Sequence, residues 1–441
     1  MDTAWLDELS EFIRIPSVSA DAERAADVRA AAEWVRAYVE RAGGSAELVK
    51  TDAQPLVVGE IAASNGGHAP TVLVYGHFDV QPPAPLELWE SDPFELTQRD
   101  EWLYARGIAD DKGQLYLLLK AAADLAAAGE LPVNVRVASD GEEEIGGHSI
   151  VDFLAEDERG ADAAVIFDST YLRRGVPAFA VGTRGLVYFH VQVRTGERDL
   201  HSGLYGGAAL NAVHALMQTL EGARAGKDGK LPDPLRAGIA TPTDAEVAGW
   251  HELQPGAEVL SEQGAQPSDP TASEEFYPRT TSEPSLDVNG IEGGSPQLQK
   301  TVLPVAAEAN VSIRLAPGQD VEEIAAAVER LMRESAPAGA ELTIERWSSA
   351  PAGLVPPDSA PVELGLDAFE RVLGTRPVLT RSGGTLPIVP ALVDKGIPTV
   401  ITGFALPESN IHSPNERMLV EYMELGREAA TELLKSYAGL R

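Results

Sequence analysis

A histidine and an aspartate directly follow a strongly apolar segment early in the chain. Residues 71–81 read TVLVYGHFDVQ, so the apolar run ends in His77 and Asp79. An unbroken run of β-branched and bulky residues is typical of a parallel strand that is buried on both faces. Residues i and i+2 of an extended segment point the same way, so the Asp79 carboxylate could orient the His77 imidazole. The alternative is a turn histidine beside a solvated aspartate.

Six polar residues stand at the ends of predicted strands or in adjoining loops. Ligand crevices of open α/β sheets lie outside the carboxyl ends of the strands, so these side chains are expected to meet at one edge. The chain has no Cys, which leaves imidazoles and carboxylates as metal ligands. Two histidines and several carboxylates suit a pair of divalent cations with one bridging carboxylate. The six residues are His77, Asp110, Glu143, Glu144, Asp168 and His412.

The adjacent pair Glu143 and Glu144 suggests a division of labour. One glutamate would bind a metal, and its neighbour would take a proton from water. Each of the six residues also has an ordinary alternative. The acidic run could be solvated surface, and Asp110 and Asp111 could cap the helix that follows. Asp168 could be a turn residue, and His412 could be a loop residue. Their joint occurrence favours the metal site.

The chain length and the order of its patterns predict a divided α/β protein. At 441 residues the chain exceeds the usual size of one hydrophobic core. Alternating strand and helix patterns predict a doubly wound, mostly parallel sheet in a catalytic domain made of residues 1–184 and 351–441. The strands between them alternate like antiparallel strands, which predicts an inserted α+β domain at 185–350. Residues 226–300 are expected to form loops with short helices.

The charge balance restricts the classes of partner. The chain carries 35 Lys+Arg against 68 Asp+Glu, a formal net charge of −33, which argues against nucleic acid and anionic membranes. No apolar run reaches the roughly 18 residues of a membrane span, and the acidic N-terminal segment lacks a secretory pattern. We therefore expect a cytoplasmic protein.

Eight motifs together resemble a known family of metalloenzymes. They are GHFDVQP at 76–82, ARGIADDKG at 105–113, DGEEEIGG at 140–147, the strand end at Asp168, DLHSGLYGG at 199–207, SIRLAPG at 312–318, RSGGTLPI at 381–388 and HSPNE at 412–416. In this order they resemble the co-catalytic di-zinc metallopeptidase family of carnosinases, bacterial dipeptidases, aminoacylases, succinyl-diaminopimelate desuccinylases and glutamate carboxypeptidases. The resemblance is strongest to the carnosinase-like dipeptidase branch.

The resemblance implies two divalent metal ions and assigns their ligands. One ion would be held by His77, Asp110 and Asp168. Asp110 would bridge to the second ion, which Glu144 and His412 would also hold. Zn²⁺ is the first expectation, and Mn²⁺ or Co²⁺ would also suit these ligands.

The resemblance also implies roles in catalysis and substrate binding. Glu143 would be the general base, and Asp79 would orient the first histidine. The inserted domain would be a lid and dimerisation domain that joins two chains in a homodimer. His201 would stabilise the oxyanion in the site of the partner subunit. Arg314 would pair with the free carboxylate of the substrate. The carboxylate pocket would be completed by Thr301, Gly384 and Thr385.

The predicted activity is hydrolysis of the amide bond of dipeptides or short peptides with a free C-terminal carboxylate. A metal-bridging water activated by Glu143 would attack the carbonyl. One alternative is an N-acyl amino acid deacylase, in which an acyl group replaces the aminoacyl unit. Another is a catalytically silent, metal-binding dimer, although the complete set of ligands and the general base argue against it.

Overall fold

The structure is a computed structural model that describes residues 3–66 and 68–440. The α-helices are α1 (Thr3–Ile13), α2 (Ala25–Arg41), α3 (Lys112–Ala127), α4 (Ser149–Glu156), α5 (Ser202–Tyr205), α6 (Ala212–Glu221), α7 (Asp244–Trp250), α8 (Gly256–Glu262), α9 (Val321–Ser335), α10 (Ala360–Leu373), α11 (Ile388–Asp394) and α12 (Val420–Ser436). The strands up to the middle of the chain are β1 (Ser45–Val49), β2 (Leu56–Ile61), β3 (Thr71–His77), β4 (Thr97–Arg99), β5 (Trp102–Tyr104), β6 (Asn134–Asp140), β7 (Ala163–Phe167), β8 (Ala178–Thr183) and β9 (Gly185–Arg194). The later strands are β10 (Leu200–His201), β11 (Ser285–Gly293), β12 (Val302–Leu303), β13 (Ala306–Leu315), β14 (Glu341–Ala350), β15 (Gly353–Leu354), β16 (Val378–Ser382), β17 (Thr399–Thr402) and β18 (Arg417–Leu419).

The described chain divides into two compact units. The first unit contains the chain up to Val181, the segment Val355–Thr380 and the chain from Pro387 onward. The second unit contains Gly182–Leu354 and Arg381–Leu386. Among the described helices, none has both the length and the apolar character needed to span a bilayer.

The first unit is built on a mixed sheet with the strand order β1-β2-β6-β3-β7-β17-β8. The four strands β6, β3, β7 and β17 pair in parallel, and the flanking pairs are antiparallel. All five residues of β7 are buried, and so are six of the seven residues of β3. The predicted α/β class is confirmed, with the parallel pairing in the central strands.

Parallel pairing brings the carboxyl ends of the central strands to one edge. The registers align His77 of β3 with Asp140 of β6, and Thr402 of β17 with Phe167 of β7. Asp168 follows β7 directly, so it emerges at the same edge as the histidine. The order of the strands thus gathers residues that are far apart in the sequence.

The turn that carries Asp110 is fixed by close packing at the start of α3. A Cβ atom at Gly113 would lie 1.9 Å from the carbonyl oxygen of Ile108, a distance that no side chain can occupy. The amide of Gly113 also donates to the carbonyl of Gly107 at 2.9 Å. Glycine at position 113 therefore lets α3 begin in close contact with the loop that carries Asp110.

The second unit is an antiparallel sheet covered by helices. Its strand order is β11-β13-β9-β14, and α6 and α9 pack against β9 and against each other. Side chains of β9 alternate between buried and more exposed positions, as expected for a sheet with one covered face. The buried core of this unit includes Val187, Phe189, Val191, Leu216, Leu220, Val311, Ile313, Ile324, Val328 and Met332.

Strands β8 and β11 are the longest of the strands that the sequence did not predict. The prediction of loops with short helices over 226–300 is wrong for β11, whose sequence SLDVNGIEG is mostly polar and alternates only as far as the irregularity after Val288. Its pairing with β13 determines its conformation, beginning with Ser285 opposite Arg314. Strand β8 was missed because its small residues give a weak strand signal.

Candidate metal centre

His77 is held at the end of β3 with its ring oriented by its neighbours. The imidazole is fully buried. Its Nδ1 lies 3.1 Å from the backbone oxygen of Asp79 and 3.4 Å from Oδ1 of the same residue. These acceptors favour a proton on Nδ1 and leave Nε2 facing Asp110, whose Oδ1 is 3.0 Å away. Asp79 thus orients the ring with both its backbone and its carboxylate.

The Asp79 carboxylate also holds the paired glutamates. Its Oδ1 accepts a hydrogen bond from the amide of Glu143 at 3.3 Å, and its Oδ2 accepts one from the amide of Glu144 at 3.1 Å. Both glutamates begin the 3₁₀ turn Glu143–Ile145, which follows β6. One buried carboxylate therefore fixes the turn of the glutamates and the ring of the histidine together.

Asp110 stands between the two histidines. Its Oδ2 lies 2.9 Å from Nε2 of His412, while its other oxygen faces His77. Nε2 of His412 is also 3.1 Å from Oε2 of Glu144. The ligand atoms of His77, Asp110 and Glu144 all lie within 4.8 Å of one another. A carboxylate that presents one oxygen to each histidine has the arrangement of a bridging ligand.

Asp168 directly follows β7, at the same edge of the sheet as His77. Burial raises its pKa to about 7; His77 acts in the opposite direction, and the charges of Asp110 and Glu144 add to the increase. The charges of the predicted ligands therefore act on the Asp168 carboxylate. The structure therefore gathers His77, Asp110, Glu144, Asp168 and His412 in the first unit.

The donor set fits divalent cations. Oε1 of Glu144 is buried and has no hydrogen-bond partner in the described chain. Leaving a buried carboxylate oxygen unpaired costs about 1–3 kcal/mol or more, which a cation would offset. Imidazole nitrogen with carboxylate oxygen is a donor set of zinc and related ions. The residues present can thus hold such ions.

The loop that presents His412 has an unusual backbone. His412 has φ of 60°, and the flanking Asn410 and Asn415 have φ of 56° and 60°. Asparagine tolerates this left-handed conformation, but for histidine it costs on the order of 1–2 kcal/mol. Strain of this kind persists where surrounding contacts hold the backbone in place.

Glu416 supplies such contacts, and the sequence analysis did not single it out. Its side chain is fully buried and accepts hydrogen bonds from the amides of Gly107, Ala109 and Asp110 at 3.1, 2.8 and 3.1 Å. It also pairs with Nη1 of Arg106 at 2.5 Å. It therefore joins the loop of His412 to the loop of Asp110. The sequence signal for this ion pair is an acid, Glu416, inside the HSPNE motif and an arginine, Arg106, inside the ARGIADDKG motif.

Two further polar residues support the cluster. Nε2 of Gln81 donates to Oε2 of Glu144 at 2.9 Å. Oδ2 of Asp111 accepts from the amide of His77 at 3.2 Å. Gln81 could have been found from the alternation along the extended segment, two residues beyond Asp79. Asp111 was noted only as a possible helix cap.

The predicted substrate-binding residues form two groups in the second unit. Nη1 of Arg314 donates to Oγ1 of Thr385 at 2.8 Å, and Gly384 precedes that threonine in the same loop. Thr301 lies instead on the β10–β12 ribbon beside His201, where its carbonyl accepts from the Ser202 amide at 2.9 Å. The structure thus brings Arg314 and the 384–385 loop together and places Thr301 with the histidine.

Comparison with known proteins identifies the family of this chain. A model of the peptidase family M20/M25/M40 matches residues 73–436. The chain belongs to this peptidase family. The Cys-Gly metallodipeptidase of Saccharomyces cerevisiae is 27% identical over 98% of this chain and 95% of its own length. The human Beta-Ala-His dipeptidase is 28% identical, with 83% and 75% covered. The crystal structure of an M20 family metallo-carboxypeptidase from Sulfolobus solfataricus superposes with a TM-score of 0.86 at 27% identity, covering 99% of this chain and all of that chain.

These matches confirm the resemblance to metallopeptidases of the dipeptidase branch. The family model begins within β3, before His77, and ends in α12, after His412. It therefore includes every predicted ligand. The assignment of each residue to an individual metal ion stays a prediction.

Glu416→Gln is expected to weaken the metal site and the fold together. The change leaves the buried guanidinium of Arg106 without its counter-ion, and breaking a buried pair costs about 3–5 kcal/mol. Metal affinity should fall by about tenfold or more, because the loops of two ligands lose their common support. Denaturant unfolding and calorimetric metal titration measure the two effects.

The control is Glu408→Gln, which removes a half-exposed pair with Arg174 and should cost at most about 1 kcal/mol. A similar small loss in both variants would contradict this role.

The stability of the metal-free protein is expected to fall as pH rises. Burial raises the pKa of Glu143 to about 8, with the charges of Asp168 and Asp110 adding to the increase and His77 opposing it. Hydrogen bonds to Asp110 and Glu144 raise the pKa of His412 to about 10. Both groups bind protons more tightly in the folded state than in the unfolded state. The glutamate therefore destabilises the fold increasingly above its unfolded pKa, and the stabilisation from the histidine is lost towards pH 10.

Denaturant unfolding between about pH 5.5 and pH 8.5 tests this expectation. The free energy of unfolding of the metal-free protein should decrease over that range. Added Zn²⁺ should restore stability most strongly at the alkaline end, because metal binding displaces the same protons. A metal-free stability that rises with pH would show that these groups do not hold extra protons in the fold.

Proposed function

We propose that this protein is a metal-dependent dipeptidase that cleaves dipeptides or short peptides bearing a free C-terminal carboxylate. The proposal is carried by the convergence of ligand atoms from His77, Asp110 and Glu144 within 4.8 Å, with Glu143 on the adjoining turn. The relatives named as dipeptidases support this choice of substrate.

The proposed cofactor is a pair of divalent ions, Zn²⁺ in the first place and Mn²⁺ or Co²⁺ as alternatives. His77, Asp110 and Asp168 would hold one ion. Asp110, Glu144 and His412 would hold the other. When bound, such ions lower the pKa of a water molecule and polarise the carbonyl of the scissile amide.

Glu143 is the proposed proton carrier. Its carboxylate would take a proton from the attacking water and pass it to the nitrogen of the leaving amine. A pKa raised to about 8, chiefly by burial, suits a group that must both accept and release a proton near neutral pH. The hydrogen bond from its amide to Asp79 keeps it in position during the transfer.

Residues of the second unit would bind the C-terminal carboxylate of the substrate and the oxyanion that forms at the scissile amide. The guanidinium of Arg314 would bind the substrate carboxylate through paired N–H donors, with Thr385 and Gly384 beside it. His201 would donate a hydrogen bond to the developing oxyanion, and Thr301 lies next to it on the ribbon. Nδ1 of His201 accepts from the amide of Gly203 at 3.0 Å, which directs its other nitrogen outward.

A panel of small amides and the variant Glu143→Gln test the activity. The panel contains dipeptides, a tripeptide, and N-acetyl and N-succinyl amino acids, each with metal-reconstituted protein. The wild type should hydrolyse dipeptides, and kcat in Glu143→Gln should fall by about 10²- to 10⁴-fold while metal content is unchanged. Turnover confined to the acylated amino acids would show a deacylase instead. With both ions bound, lack of turnover across the panel would indicate a silent metal-binding protein.

We also propose a homodimer joined through the second unit, in which His201 serves the site of its partner. Large apolar side chains of this unit are exposed, among them Leu204 at 75%, Ile291 at 57% and Trp347 at 55%. A dimer interface that covers such side chains would gain stability from their burial. The cytoplasmic location expected from the sequence stays a prediction.

Mixing two inactive variants tests the shared site. Glu143→Gln and His201→Ala should each be inactive alone. If the histidine acts in the partner, half of a randomly mixed population carries one intact site, and activity should recover to about a quarter of wild type. Size-exclusion chromatography with light scattering establishes the mass of each sample. Dimers that recover no activity would show that His201 does not act in the partner.

A further inference from the structure

The second unit contains a cavity of about 650 Å³ whose wall includes four cationic side chains. We name it the Arg184 cavity; its cations are Arg184, Lys230, Arg236 and Arg279, and three carboxylates, Glu275, Glu283 and Asp287, line it as well. Its volume lies in the range of small-molecule sites. Cationic groups gathered in one cavity of a chain with a net charge of −33 call for an explanation.

Two of the four cations are already neutralised. Arg236 forms an ion pair with Glu283. Arg279 pairs with Asp269 and with Glu275. These arginines therefore stabilise the loops around the cavity and have little charge to offer a ligand.

Arg184 is different, because all its hydrogen-bond partners are neutral. Nε donates to the carbonyl of Gly383 at 3.1 Å, and Nη1 donates to the carbonyl of Arg279 at 3.4 Å and to Oγ of Ser285 at 3.3 Å. In the part of the chain that the structure describes, Arg184 has no carboxylate partner and its Nη2 has no hydrogen-bond partner. The side chain is thus held in one position with a donor left over.

Arg184 lies beside the proposed carboxylate-binding arginine. Ser285 and Arg314 are direct partners across β11 and β13, so their side chains share one face of the sheet. The backbone oxygen of Arg184 accepts from Oγ1 of Thr385 at 2.7 Å, and the same oxygen atom of Thr385 accepts from Arg314. Two guanidinium groups therefore flank Ser285.

The charge of Arg314 affects the pKa of Arg184. Burial lowers the pKa of Arg184 to about 10, and the positive charge of Arg314 lowers it further, while Asp287 acts in the opposite direction. The group remains charged at neutral pH. Two like charges held together without a buried counter-ion are destabilising unless an anion binds between or beside them.

We propose that the Arg184 cavity receives the acidic side chain of a C-terminal Glu or Asp of the substrate, with Nη2 of Arg184 as its hydrogen-bond donor. This inference rests on the proposed function, in which Arg314 binds the α-carboxylate. Arg314 would then recognise the main-chain end of the substrate, and Arg184 would select its side chain. The substrate class is dipeptides with an acidic C-terminal residue.

The isosteric substrates Ala-Glu and Ala-Gln test the inference. They differ in one charge, so the ratio of their kcat/KM values isolates the contribution of that charge and cancels any general loss of activity. Wild type should favour Ala-Glu. In Arg184→Gln the ratio should fall by about tenfold or more, because a charge-assisted hydrogen bond is lost. The matched control Lys230→Gln removes an exposed cation of the same cavity and should change the ratio by less than about twofold.

Three outcomes would overturn the inference. A wild type that prefers Ala-Gln shows that the cavity does not receive an acid. Equal loss on both substrates in Arg184→Gln shows that Arg184 only braces the Gly383 loop. An equal change of the ratio in Lys230→Gln shows a diffuse electrostatic effect. In the first two cases the protein still hydrolyses dipeptides, so the inference would fail while the proposed function remains supported.

A binding measurement keeps the test valid if dipeptides are not hydrolysed. L-Glutamate and L-glutamine are titrated calorimetrically into metal-reconstituted wild type and Arg184→Gln. Tighter binding of L-glutamate to wild type, with the difference lost in the variant, supports the cavity as an acid site whatever the reaction. Equal affinities for the two amino acids in wild type overturn it.

Discussion

The structure depends on keeping several carboxylates close together at the carboxyl edge of one sheet. Burial alone disfavours the ionised form of each, and neighbouring negative charges add to this cost. In the described chain the opposing influences are two imidazoles, backbone amides and the guanidinium of Arg106. The arrangement therefore favours positive charge, and the raised pKa values of Glu143, Asp168 and His412 favour bound protons in the metal-free protein. This is the physical sense in which the fold selects a cation.

The support of the cluster comes mainly from backbone amides. Asp79 accepts two of them from the glutamate turn, and Glu416 accepts three from the loop of Asp110. Hydrogen bonds from amides to an ionised carboxylate are stronger than neutral ones, so they fix these loops firmly. The predicted ligands are consequently positioned by residues that are themselves carboxylates.

Much of this arrangement could be predicted from the sequence. The strand that delivers His77 is a continuous apolar run, and its parallel neighbours end in acids, so periodicity and strand order indicated one edge. The supporting role of Glu416 could not be predicted, because it depends on amides that only the folded loop presents. Strand β11 was missed for a related reason. Its sequence is polar, and only the register with β13 makes it a strand.

The link between Glu416 and the loop of Asp110 spans 306 residues of sequence. A growing polypeptide thus contains His77, Asp110 and the glutamate turn long before the segment that steadies them has been made. Closing so large a loop is slow compared with forming local helices, so this contact is expected to form late in folding. The ligand geometry is then completed only after the segment that carries Glu416 has been synthesised. An enzyme that could attack short peptides would in this way lack its catalytic geometry throughout the synthesis of the preceding 415 residues.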